Sequence, residues 1–176
     1  GALTPDFLNH HLCHAASAFY ASPFEEAAIL TIDQRGEDVS ATASVGRGTT
    51  IAPISAVRWP DSLGMLYLSL TLHLGFHVGD EYKVMGLAAY GAPTYDKVFA
   101  DLLQDDGRGG FRLNPTYFDY LGVEHCLSKK FYTIFGPRRR RDEPVTQRHM
   151  DMACSLQRRL EEVILRMAEH LHAVTR

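Results

Sequence analysis

Three observations on the sequence predict a mixed α/β fold. AAILTID (27–33) is an apolar, β-branched-rich run of the kind that forms a buried strand, and a glycine-marked break and a second alternating run follow it. SLGMLYLSLTLHLGF (62–76) is apolar almost all round, as a deeply buried helix is. From Thr146 onward, Met150, Ala153, Leu156, Leu160, Ile164, Met167 and Leu171 recur at helical spacing.

Taken in order, residues 9–20 read as a helix, with Asn9 available as its cap and Ala15, Ala16 and Ala18 small enough for close packing. Pro23 ends it, because the residue before a proline is biased away from helical geometry. Residues 27–46 read as a β-hairpin with its turn at Arg35–Gly36, and TTIAPISAVRW (49–59) adds a strand. Pro60 suits the first turn of the apolar helix 62–76. GDEYKVMGLAAYG (79–91) opens on acidic residues and closes on Gly91, as a short capped helix does. An amphipathic helix over 94–104 places Phe99, Leu102 and Leu103 on one side. DDGRGG is a turn, FRLN (111–114) a short strand, and 115–145 reads as mostly irregular. The final helix runs from Thr146 to the chain end. RRRR (138–141), beside Asp142 and Glu143, reads as a solvated loop, with an anion or nucleotide contact as the alternative.

The 176 residues, 45% hydrophobic and 22% charged, suit one domain or a large piece of a bigger one. A net charge of −3 gives no electrostatic reason to expect nucleic acid or a membrane surface as partner. Cys13, Cys126 and Cys154 are widely spaced and odd in number, which points to a reducing compartment. No stretch approaches the roughly 18–20 apolar residues of a membrane span, and GALTPDFLNHH lacks the basic start and apolar core of a signal peptide. A cytoplasmic protein is expected.

His10 and His14, four apart, share one helix face and could chelate a metal; His11 points about 100° away. Imidazole suits Fe, Zn, Ni or Cu, but two histidines need a further ligand, and polar surface or buried hydrogen-bonded histidines are the other reading of the stretch. Cys13 reads as a packed cysteine. Asp33, Gly36 and Glu37 form a strand–turn unit in which a carboxylate can hold phosphates or their metal, and glycine lets an anion approach the backbone. Acidic hairpin turns without any ligand are also common. Lys83, near a helix start, could meet phosphate, while Gly86 in an apolar helix suggests close approach of a backbone or ligand. An exposed Glu–Lys turn with Gly86 as a packing contact is the competing account. GxSxG, the Walker loop, H-E-x-x-H and a dinucleotide GxGxxG are absent.

HHLCHAASAF, AAILTIDQRGED, SLGMLYLSLTLHLGF, GDEYKVMGLAAYG and TQRHMDMACSLQ, in that order over about residues 7 to 172, together resemble the NodU/CmcH-type O-carbamoyltransferases. The most specific piece is EYKVMGLAAYG, close to the family's EYKvMGLApYG run. The resemblance implies an actin/Hsp70/sugar-kinase-like fold, related to the universal tRNA threonylcarbamoyl transferase subunit. It implies carbamoyl adenylate made from carbamoyl phosphate and ATP, and carbamoyl transfer to a hydroxyl of a sugar, antibiotic or other natural product. It places an iron ion on the His-x-x-x-His helix, here His10 and His14, with Mn or Zn as alternative metals. His11, or His14 if unligated, is the expected base for the acceptor's proton. Asp33, Arg35, Gly36 and Glu37 are expected along the nucleotide phosphates, with Lys83, Gly86 and their helix facing the same cleft.

The sequence departs from the family pattern in two ways. DQRGED replaces the usual DGxGE, leaving Arg35 as a candidate phosphate contact. The first strand with its EERF-type segment, and the GGVALN-type segment whose aspartate completes the metal site, are not in the sequence. Residues 1–176 are therefore expected to be a single partial catalytic domain, inactive alone, with the third metal ligand elsewhere. An incompletely covered helix 62–76 would favour self-association. Two other classes fit the motifs less fully: another ATP-using enzyme of the same fold, such as a threonylcarbamoyl transferase or kinase, and a binding domain that kept the fold and lost the site.

Overall fold

The computed structural model describes residues 7–120 and 126–176. Strands β1 (Glu26–Gly36), β2 (Val39–Arg47) and β3 (Thr50–Arg58) form an antiparallel sheet in the order β1-β2-β3. Helix α1 (His10–Phe19) covers one face. On the other lies the main core, built with α2 (Leu63–His73), α3 (Glu81–Ala88), α4 (Asp96–Leu102), α5 (Lys129–Phe135) and α6 (Gln147–Val174). A second, two-stranded sheet pairs β4 (Leu103–Asp105) with β5 (Phe111–Leu113). The mixed α/β expectation holds.

Strand alternation sorts β1 between the two layers. Ile29 and Thr31 meet α1, whereas Leu30 and Ile32 pack into the main core. Helix α1 is fixed at its start by Asn9, whose Oδ1 accepts the Leu12 N–H at 2.9 Å. It buries His11, Ala15 and Phe19, spaced four apart along one face. Its next face carries His10 and His14 toward the end of β1.

That end of β1 is irregular. Ile32 pairs with Ala41 and Gly36 with Val39, so residues 33–35 stand against Ser40 alone. Such a bulge re-aims side chains and is common beside functional sites. The hairpin turn consequently falls at Glu37–Asp38, two residues later than the sequence suggested, with Glu37 in the left-handed region at φ 51°.

Other boundaries shift for local reasons. Pro60 lies outside α2, because Ser62 is the cap and accepts the Met65 N–H at 3.0 Å. Gly91 ends no helix; a Cβ there would run into the Met150 carbonyl, so the glycine lets its loop touch α6. Leu103 leaves the helical stripe to pair with Leu113. Within 115–145, of which 121–125 lie outside the described residues, KKFYTIF forms α5 between a Ser128 cap and Gly136 at φ 74°. Its Phe131 and Phe135 are fully buried, with ring centroids 4.4 Å apart.

Helix α2 is covered on one side, where Leu63, Leu66 and Leu70 are at most 2% exposed, while Met65, Tyr67 and Leu68 stay partly open. The arginine run explains how its far end is finished. Arg138 Nε donates to the Leu72 carbonyl at 2.6 Å, Arg139 N–H to the His73 carbonyl at 3.0 Å and Arg139 Nε to the Leu74 carbonyl at 2.6 Å. Arg139 is buried, so half of the supposed solvated loop is a helix cap. The three cysteines form no disulfide, and among the described residues no helix is long and apolar enough to cross a membrane.

Candidate metal centre

His10, His14 and Asp33 converge. Asp33 Oδ2 lies 2.6 Å from His10 Nε2 and 3.2 Å from His14 Nε2, and the two ring nitrogens are 3.0 Å apart. Helix α1 supplies the imidazoles from one turn; the bulge of β1 turns the carboxylate to meet them. The three side chains are 42%, 51% and 33% exposed, so the cluster is open to solvent on one side. The His10 hydrogen bond holds the Asp33 carboxyl below its ordinary value, against the effect of burial, with the Gln34 N–H adding to the lowering.

With Asp33 ionised, protons fit this triangle less well than a cation does. If both Nε2 atoms carry hydrogen toward Asp33, the contact between the imidazoles joins two donors. If His14 Nε2 is bare, its contact with the carboxylate joins two acceptors. A single cation satisfies all three. Donor atoms held about 2.1 Å from one ion sit roughly 3.0 Å apart at right angles and roughly 3.4 Å apart at tetrahedral angles. The observed edges of 2.6, 3.0 and 3.2 Å fit a slightly contracted version of that set. Two imidazoles and one carboxylate are also the donor set of many non-haem iron centres.

The remaining predicted residues divide. His11 is 1% exposed; its Nδ1 lies 2.7 Å from Thr31 Oγ1 and its Nε2 3.0 Å from the Val39 carbonyl. The carbonyl can only accept, so Nε2 carries hydrogen and the ring ties α1 to the sheet. The expectation of His11 as a base is corrected accordingly: both nitrogens are committed inside the protein. Gly36 does not leave room for an anion, because the His10 ring already lies against it. Arg35 is exposed, its guanidinium 5.3 Å from the centre of the Trp59 ring, and Glu37 is 3.5 Å from the Asn9 amide. Lys83 pairs with Asp80 at 2.8 Å, which pushes its ammonium pKa up. Gly86 faces open space, so it is not a packing contact within the chain. The start of α3 does face the β1 end: Glu81, Gln34, Ile32, Tyr67 and Leu160 line one depression of about 330 Å³.

Two residues of the site escaped sequence reasoning. Ser62 Oγ donates to the Gln34 carbonyl at 2.6 Å. Gly64, in the first turn of α2, brings that helix against the backbone of Asp33 and Gln34. The Ser-x-Gly spacing ahead of an apolar helix was visible, but nothing in the sequence paired it with β1. The sequence marks Asp33 as a carboxylate for phosphates or their metal, and the family resemblance puts the completing metal ligand after the last helix. The structure brings a third donor to the histidine pair from within the chain.

The family model for the carbamoyltransferase N-terminus matches residues 4–176, and the chain belongs to the carbamoyltransferase family. It is 44% identical over 169 residues to an uncharacterised protein, sll1178, of Synechocystis sp., covering 94% of this chain and 28% of that protein. It is 39% identical over 170 residues to nodulation protein NolNO of Sinorhizobium fredii, covering 96% of this chain and 24% of that one. Nodulation protein NolO of Bradyrhizobium diazoefficiens is 37% identical over 169 residues, with 96% of this chain and 29% of the relative covered. The chain therefore spans about a quarter of the length of these relatives.

Proposed function

We propose that this chain is the metal-holding part of an O-carbamoyltransferase catalytic domain of the actin/Hsp70/sugar-kinase-like type. The whole enzyme would make carbamoyl adenylate from carbamoyl phosphate and ATP and pass the carbamoyl group to a hydroxyl of a small-molecule acceptor. The observation that carries this is the convergence of His10, His14 and Asp33, in a chain of the carbamoyltransferase family, on a point where a cation fits. A divalent metal there, iron first and manganese or zinc next, would polarise the carbamoyl carbonyl and offset phosphate charge.

The chain's own residues would do the rest. His10 and His14 offer neutral nitrogen donors and Asp33 an anionic oxygen, so the bound ion keeps part of its charge for substrate. The open side of the cluster gives the nucleotide and acceptor access. In the transfer, the acceptor oxygen bonds to the carbamoyl carbon, the bond from that carbon to the adenylate oxygen breaks, AMP leaves with the electron pair, and the hydroxyl proton passes to the departing phosphate or to water on the open side of the cluster. Arg35, over the Trp59 ring near the end of β1, would meet phosphate, with Glu37 in the adjoining turn. The Lys83 helix flanks the same end of the strand through Glu81. Cytoplasmic action on soluble substrates suits this chemistry.

The test is titration of the metal-free chain with Fe(II), Mn(II) and Zn(II), followed by thermal midpoint and binding heat. A saturable rise is expected, worth about 2.7 kcal/mol at one hundred times Kd, and lost in His14→Ala. No rise and no heat with any of the three metals would overturn the assignment.

A further inference from the structure

We infer that Gly36 is a positioning residue of this metal centre, conserving the place where the His10 imidazole must lie. The inference rests on the metal-site reading above and deepens it. A Cβ built on Gly36 would lie 2.6 Å from His10 Cβ, with ring atoms Cγ and Cδ2 closer still. These are the root and body of the side chain, so no small rotation of a flexible tip relieves the overlap. Real Cβ atoms essentially never come within 3.0 Å of such neighbours.

The backbone at Gly36 does not itself require glycine. Its φ lies outside the left-handed region, and the residue is paired with Val39 as ordinary strand. The residue that takes the left-handed conformation is the next one, Glu37. Glycine is therefore needed at 36 for space alone, and the occupant of that space is His10. Asp33 holds the ring from one side through Nε2, the Gly36 backbone supports it from another, and His14 closes the third.

Metal sites depend on such supports: losing one that orients a ligand costs about 10–100-fold in affinity. Gly46 provides a matched control. It lies on β2 under the same helix, and its Cβ would meet the Phe19 ring at 2.7 Å, so alanine there also wedges α1, but at its apolar end.

The experiment uses Co(II) as probe, reading affinity by calorimetry and ligand geometry by visible absorption, on wild type, Gly36→Ala, Gly46→Ala, His10→Gly and Gly36→Ala/His10→Gly. Expected is at least a tenfold loss of Co(II) affinity with an altered spectrum in Gly36→Ala, and less than threefold loss in Gly46→Ala. In the His10→Gly background, which removes the Cβ as well as the ring, Gly36→Ala should change neither affinity nor thermal midpoint. If Gly36→Ala fails to fold, the double variant should recover the fold, because the clashing ring is gone. Wild-type affinity in Gly36→Ala, equal losses in both glycine variants, or a double variant that stays unfolded would each overturn the inference while leaving the metal centre intact. Failure of the wild type to bind Co(II) would overturn the metal-site reading and the inference with it.

Discussion

His11 and His14 show how one turn of helix gives neighbouring imidazoles opposite work. His14 is half exposed and shares the Asp33 oxygen with His10, whereas His11 is buried and bonded at both nitrogens. Replacing His11 by Phe should destabilise the chain by about 1–3 kcal/mol, since the Val39 carbonyl loses this donor and the Thr31 hydroxyl keeps only Thr42. Urea unfolding checks this, and metal affinity should stay within a few fold. The pair at spacing four was legible because helical geometry alone puts both on one face. That His11 faces inward follows from the packing of α1 against Thr31 and Val39, contacts across about twenty and thirty residues of sequence that no local pattern encodes. Asp33 was legible as a functional carboxylate for the same limited reason: its position closes an apolar strand, but the bulge that turns it toward α1 depends on pairing with β2.

At the scale of elements, the end of α2 is finished by a segment sixty-five residues further along the chain. Arg139 serves the Leu74 carbonyl and, through its guanidinium, the Arg140 and Glu143 carbonyls, while covering the Phe76 ring. Arg139→Met should therefore cost about 2–4 kcal/mol, because charge-assisted bonds to buried carbonyls are lost and the acceptors stay buried. Arg140→Ala and Arg141→Ala should fall within about 0.5 kcal/mol, as exposed substitutions do. Chemical denaturation of the three variants separates the two halves of the run. Composition shows four arginines but cannot show which of them meets a helix end, and that is why the run read as solvated. The long helices were legible because periodicity accumulates over their length. Seven-residue α5 was not, although its Ser128 cap, its Phe131–Phe135 pair and Gly136 each carried a local sign.

For the molecule as a whole, acid should act in two stages. Burial, with Arg148 and Arg139 nearby, lowers the His149 pKa, and its Nδ1 accepts the Thr146 N–H at the start of α6. The folded state thus keeps this imidazole neutral where the unfolded chain, titrating near 6.5, binds a proton. Its contribution is complete above about pH 6.5 and declines as pH falls toward the lower folded value. Asp101, Asp105, Asp151 and Glu162 are held below their ordinary values by hydrogen bonds, so their contributions are complete above about pH 4.5 and fade further into acid. Urea midpoints followed against pH in the presence of chelator should show both declines. His149→Gln, which can keep the reciprocal cap, should flatten the first and spare the second.

The three donors of the metal centre are separated by at most twenty-three residues, and the bulge that aims Asp33 needs only β1 and the facing part of β2. A contact so local closes with little loss of chain entropy. During synthesis, a cation that binds there would be captured soon after the β1–β2 hairpin leaves the ribosome, while most of the helical core that follows it is still unmade. The proposed metal would then have a second use, as an early staple around which the later helices are laid.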